Sequence, residues 1–347
     1  MRGHRKGDGG GGTWAHLSDD DLLEVRIRDL EVRIRGSALE PHIGRLHREL
    51  ESRGLALRPP CYLAAEWLCP DGEAAIGIPF YLAHPRLMAL EFRMMFEVEG
   101  GTRAWCMKLL RHEAGHAVDH AYGLHRRPDW RRVFGSPGTP YNPYFYKVDP
   151  VSKNFVRNVP DDYAQSHPYE DFAETFAVWL QPNSLWRTRY AGWPAMRKLR
   201  FVDRLMHEIA CRRPPRRKPR LQGQARLLQS TLRSYYERKS RRQRLEDLSL
   251  CVRELKAIFG ASRAKTPGDA AAALIRRNKK LIVEAVAAWS GDRPGHVTRV
   301  VASLARIANE HRLVVRADPA STLVRFSTYV ATLIVNRLRT HAYRPRK

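Results

Sequence analysis

An α+β domain followed by an all-α module is the architecture this sequence predicts, on three observations. Up to about residue 210, helical runs with apolar residues three and four apart alternate with short β-branched or aromatic runs bounded by Pro and Gly. Residues 211–224, CRRPPRRKPRLQGQ, then interrupt the pattern with prolines and six basic residues. Beyond them only helical spacing recurs. A length of 347 residues suits two core-burying domains, and 43% hydrophobic with 9% aromatic residues excludes a disordered chain. The expected organisation is a flexible tail over 1–16, a first domain over 17–210, a basic linker over 211–224 and a helical module over 225–347.

The glycines of MRGHRKGDGGGG give the tail its freedom, and order is expected from Ser18. Ser18 followed by Asp19, Asp20 and Asp21 supplies a cap and carboxylates at a helix start, with Leu22 to Leu30 as the run behind it. LEVRIRD (23–29) is repeated at once as LEVRIRG (30–36), whose alternation of Val32 and Ile34 with arginines reads as a strand. Glu40–Arg53 has helical spacing and stops at Gly54. The runs 55–63 and 74–82 read as strands of a small mixed or antiparallel sheet, with Pro79 placing the second at an edge or its rim. Trp105–Tyr122 is a helix ending at Gly123, the loop of about 124–162 is rich in Pro, Gly and aromatics, and Tyr169–Leu180 is a helix capped by Ser166 or His167 with Pro168 in its first turn. Five further helical runs follow, at about 221–237, 243–259, 268–289, 296–313 and 320–340.

Chemistry concentrates in His112-Glu113-Ala114-Gly115-His116. On a helix, residues four apart lie one above the other, so His112 and His116 can offer imidazole nitrogens to one cation with Glu113 beside it as a base. A catalytic zinc takes three protein ligands and keeps one position open, so a third ligand is needed. Glu170 and Glu174 stack on one face of the Tyr169–Leu180 helix. Glu170 facing the histidines would complete a His/His/Glu site, and Glu174 would accept the second N–H of a ligand histidine; the other reading is that both pair with arginines at the surface. Asp119, three residues beyond His116, is either an outer partner of the site or a helix-end residue.

HEAGHAVDHAYGL (112–124), YAQSHPYEDFAETFAVWL (163–180) and IPFYLAHPRL (78–87) resemble a bacterial family of zinc-binding metallopeptidases. The ligand-helix wording is also similar to the catalytic domain of anthrax lethal factor, a gluzincin-type zinc endopeptidase in which a tyrosine stands seven residues before a zinc-binding glutamate. Tyr163 and Glu170 have that spacing. The resemblance covers roughly 18–210 and implies a zincin-like fold, one catalytic Zn²⁺ on His112, His116 and Glu170, Glu113 as general base, Tyr163 as oxyanion stabiliser, and a peptide or protein substrate.

The net charge of +25 is uneven: residues 1–211 carry 29 Lys+Arg against 27 Asp+Glu, residues 212–347 carry 32 against 9. That basic segment can attract nucleic acid or an acidic protein, with Tyr235 and Tyr236 beside one cluster as stacking candidates, or simply form a solvated helical face. The class competing with a peptidase is therefore a cationic nucleic-acid-binding protein with a non-catalytic metal domain. Five irregularly spaced cysteines point to a reducing compartment. With neither an apolar leader nor a run of 18 apolar residues, the expected location is cytoplasmic, without a membrane span.

Overall fold

A computed structural model describes residues 12–95, 97–141, 146, 149, 151–160, 162–214, 219–243, 251–261, 270–290, 292 and 294–342. They form two compact units, 1–239 and 240–347.

The first unit opens earlier than the glycines suggest. Thr13–His16 make a single 3-10 turn in which Trp14 is buried and its indole Nε1 donates to Leu30 O at 3.0 Å. Helix α1 (Asp19–Glu24) is capped by Ser18, whose Oγ accepts from Asp21 N. The strand expected over 30–36 is absent: Glu31 takes a left-handed conformation, and Val32 and Ile34 lean on the core from an irregular segment. Alternation there serves packing, because among the described residues no neighbouring strand offers a ladder. Helix α2 (Leu39–Ser52) buries Leu39, Ile43, Leu46 and Leu50.

Strands β1 (Cys61–Ala64) and β2 (Ile76–Pro79) pair in parallel, Cys61 opposite Ile76 and Ala64 opposite Pro79. Among the described residues of the first unit, antiparallel pairing occurs as isolated bridges, Arg26 with Thr231, Ala64 with Gln224 and Leu68 with Gly77. The side-chain pattern that marks a strand carries no direction, so parallel pairing was not readable from it. Pro79 closes β2, where no ladder donor is required.

Helices α3 (Pro85–Met95) and α4 (Arg103–Tyr122) follow. Thr102 caps α4, and Gly123, at φ 61°, ends it in the left-handed conformation that glycine adopts without a side-chain clash. On α4 the buried Arg111 forms a two-pronged ion pair with Glu49 of α2, at 2.7 and 2.8 Å. Successive helical residues point about 100° apart, so fixing Arg111 against α2 turns His112 away from α2 towards a different neighbour. The supposed loop 124–162 contains α5 (Pro128–Phe134), a short helix with Pro at its first position. Tyr144 and Phe145 of that loop lie outside the described residues.

Helix α6 (Pro168–Leu180) lies across α4. The crossing is close at Gly115: a Cβ there would stand 2.9 Å from Cα of Ala173 and 3.2 Å from its carbonyl oxygen. Helices α7 (Trp186–Arg189) and α8 (Ala195–Ile209) complete the core around α6.

The expected linker and module boundary need correction. Cys211 N donates to Gly54 O, Tyr122 Oη donates to Arg212 O, and Tyr62 Oη donates to Gln222 O, so the described ends of 211–224 are fastened to the first unit. Residues 215–218 lie outside the description. Helix α9 (Leu232–Gln243) places Leu232, Tyr235 and Tyr236 in the first unit's core, and Lys239 Nζ meets the buried Glu91 at 2.6 Å. Helical spacing shows that a segment has an apolar face but not which core receives it. Neither tyrosine is available to stack on a base.

The second unit comprises α10 (Val252–Ile258), β3 (Gly260–Ala261), α11 (Ala271–Arg277), α12 (Lys279–Ser290), α13 (Pro294–Glu310), β4 (Leu313–Val314) and α14 (Pro319–Ala342). Its core gathers Leu255, Phe259, Ile282, Leu304, Phe326 and Val330. The all-α expectation thus admits one two-residue antiparallel pair, Gly260 with Val314, and the run 268–289 divides into two helices at Asn278. All five cysteines are free thiols, and among the described residues no helix is long and apolar enough to cross a membrane.

Candidate metal centre

Three side chains converge where α4 and α6 cross. His112 Nε2 lies 3.0 Å from Glu170 Oε2, His116 Nε2 lies 3.1 Å from the same oxygen, and the two imidazole nitrogens are 3.1 Å apart. Among the described residues these three form the one His/Cys/Asp/Glu group whose donor atoms could all meet a single ion. Three donor atoms this close together could share one ion and leave a position open for water. Two nitrogens and one oxygen suit Zn²⁺, so the residues fit the metal.

The orientation of His112 is built in. Its Nδ1 donates to Glu174 Oε1 at 2.8 Å, which places the lone pair of the neutral ring on Nε2, towards Glu170 and His116. Glu174 is fully buried and is itself held by Asn158 Nδ2 at 2.9 Å and Val159 N at 2.9 Å. Lys108 Nζ, on α4, donates to Asn158 O at 2.7 Å. Burial pushes the Glu170 carboxyl up, but the two imidazoles more than reverse this and hold it well below the usual carboxylate range. Burial alone lowers His112, and the hydrogen bonds to Glu170 and Glu174 carry it well above an ordinary histidine.

Glu113 is buried beside the triad, and its Oε2 meets no hydrogen-bond partner among the described residues. Burial raises its carboxyl against the pull of His112 and His116. A buried oxygen with nothing to accept from is costly unless a ligand or water fills the gap, and that is the environment a base for a bound water needs. Tyr163 reaches the same site: its ring centroid is 5.7 Å from that of His112, and burial with the neighbouring Glu170 charge keeps its hydroxyl protonated well past the ordinary range.

Not every candidate arrives. Asp119 is buried on α4, but its two oxygens accept from His125 N at 2.8 Å and His125 Nδ1 at 2.7 Å, pinning the turn after Gly123. It makes no hydrogen bond to His112 or His116, because it faces the helix end. His167 is the cap of α6, with Nδ1 accepting from Tyr169 N. Two residues to which the sequence gives no role at the metal, one of them an aromatic of the 124–162 loop, matter here. Tyr141 Oη donates to Glu170 Oε1 at 3.0 Å and lies 2.6 Å from Tyr163 Oη. Gly115 lets α6 approach. A glycine inside an otherwise apolar helix costs about 1 kcal/mol, which is a signal that close approach is needed; a loop tyrosine gives none.

A largely buried His/His/Glu cluster on two crossed helices defines a candidate metal-dependent hydrolytic centre. Residues 105–205, from the first turn of α4 into α8, match the model of a family described as "putative zinc-binding metallo-peptidase", in line with the resemblance that the sequence carries. No curated protein and no solved structure matches the chain.

Proposed function

We propose that the first unit is a zinc-dependent peptidase with His112, His116 and Glu170 as metal ligands. The observation that carries this reading is the convergence of their three donor atoms within 3.0–3.1 Å of one another, beside a buried carboxylate oxygen that lacks a partner. Zinc in such a site supplies a water acidified towards pKa ~7 and a polarised scissile carbonyl. Glu113 takes the proton from the attacking water as its oxygen bonds to the carbonyl carbon. It then delivers that proton to the amine nitrogen as the C–N bond breaks, giving a carboxylate and a free amine. Tyr163 donates its hydroxyl to the oxygen on which charge develops. Glu174 keeps His112 in the tautomer that presents Nε2.

The first test is metal content and peptide hydrolysis of the full chain. One zinc per chain after stripping and reloading, with cleavage of a quenched-fluorescence peptide library abolished by chelation, supports the reading; absence of stoichiometric zinc overturns it. Tyr163→Phe should retain its zinc and lose about 10²–10³ in kcat, the usual cost of one oxyanion donor. If it turns over as fast as the parent, the hydroxyl has another task. Glu170→Ala should instead fail at the metal, with zinc dissociating during dialysis that the parent survives.

A further inference from the structure

Tyr141 sits at the end of a short loop that leaves α5 at Gly135, where φ is 107°. The loop is tied to helix α6 through His167: Nε2 of this side chain lies 2.9 Å from Thr139 O, while its Nδ1 accepts from Tyr169 N at the first turn of α6. An imidazole that accepts at Nδ1 must donate at Nε2, so one neutral histidine both caps the helix carrying Glu170 and anchors the loop carrying Tyr141. The Tyr141 ring rests against the same imidazole, centroid to centroid 4.9 Å. Phenol and carboxylate are therefore positioned from one helix end.

Proton counting fixes how they interact. A metal-binding carboxylate carries no proton, so in the contact between Tyr141 Oη and Glu170 Oε1, at 3.0 Å, the tyrosine is the donor. Its single proton being spent, Tyr141 can only accept in the 2.6 Å contact with Tyr163 Oη. The chain runs from Tyr163 to Tyr141 to Glu170.

Building on the zinc reading above, we infer that Tyr141 is a positioning residue. By occupying Glu170 Oε1 it confines that carboxylate to one-oxygen ligation through Oε2, and it holds the Tyr163 hydroxyl in a resting direction until a peptide carbonyl replaces it as acceptor. A carboxylate freed from that bond could turn both oxygens to the metal, the second adding a fifth donor that crowds the position needed by water. Hydrogen bonds of this kind, made to the ligands rather than to the metal, carry 10–100-fold in affinity or activity in order of magnitude.

The test is zinc affinity by competition with a chromophoric chelator, together with the visible spectrum of the Co²⁺-substituted full chain, for the parent, Tyr141→Phe, Tyr141→Leu and Tyr163→Phe. Tyr141→Phe keeps the ring on His167 and should bind zinc about 10-fold or more weakly, with the cobalt absorption falling as a four-coordinate site gains a fifth donor. Tyr163→Phe touches Glu170 only through Tyr141 and should match the parent in both readouts. Tyr141→Leu should resemble Tyr141→Phe, since the hydroxyl is the operative group. Tyr141→Phe indistinguishable from the parent in affinity and spectrum, or a loss confined to Tyr141→Leu, overturns the inference and leaves the peptidase reading intact. A parent chain that binds neither ion defeats both.

Discussion

Glu113→Gln is expected to bind one zinc per chain with the affinity of the parent and to lose about 10²–10⁴ in kcat/KM for peptide hydrolysis, the range for removal of a general base. The substitution preserves shape and changes one property. The amide has no lone pair basic enough to take a proton from water, and it occupies the same buried volume. None of the three converging donor atoms belongs to residue 113, and Glu113 makes no hydrogen bond to Glu174. Metal binding and turnover should therefore separate completely in this variant, as they do not in Glu170→Ala. Zinc determination and steady-state kinetics on one preparation decide the matter. Activity within ten-fold of the parent removes Glu113 from the mechanism, and co-loss of zinc makes it a structural residue.

How far the sequence discloses this site depends on how local each feature is. His112 and His116 are legible because helical geometry alone brings residues four apart together, and Gly123 marks the end of the helix that carries them, whereas the cap at Thr102 shows only in the folded chain. Glu170 and Glu174 are half legible. Their stacking on one face follows from the helix, but that the face turns to the histidines depends on how α6 crosses α4. Asp119 shows the limit of spacing arguments: three residues beyond His116 it shares a face, yet its carboxylate is drawn to the backbone and ring of His125. Tyr235 and Tyr236 show the same limit for composition, since the arginines beside them say nothing of the core that absorbs them. Asn158, Val159 and Tyr141 come from irregular segments without period, and only the folded chain reveals their reach.

Gly115→Ala is the substitution in which fold and site should fail together, and Gly44→Ala is its internal control. Both glycines lie inside helices, where alanine is the better former by about 1 kcal/mol. At Gly44, on α2, an added Cβ meets only the mobile guanidinium of Arg48 at 3.5 Å. The propensity gain should survive there, raising stability by about 0.4–1 kcal/mol. At Gly115 the same methyl stands 2.9 Å from backbone of Ala173, which cannot swing aside as a side chain does. Overpacking of this kind costs about 1–3 kcal/mol, so the clash outweighs the propensity and the net change is destabilising. A unit of this size shifts its melting temperature by ~2–4 °C per kcal/mol, so thermal unfolding of the zinc-free chain should show opposite signs for the two variants. The separation of α4 and α6 also sets the 3.0 and 3.1 Å distances from Glu170 to the two imidazoles, so forcing the helices apart by a few tenths of an ångström draws Glu170 away from the pair. Zinc affinity should fall in Gly115→Ala and stay at the parent value in Gly44→Ala. Should Gly115→Ala prove as stable and as tightly metallated as the parent, close approach at this crossing is not what brings Glu170 to the histidines.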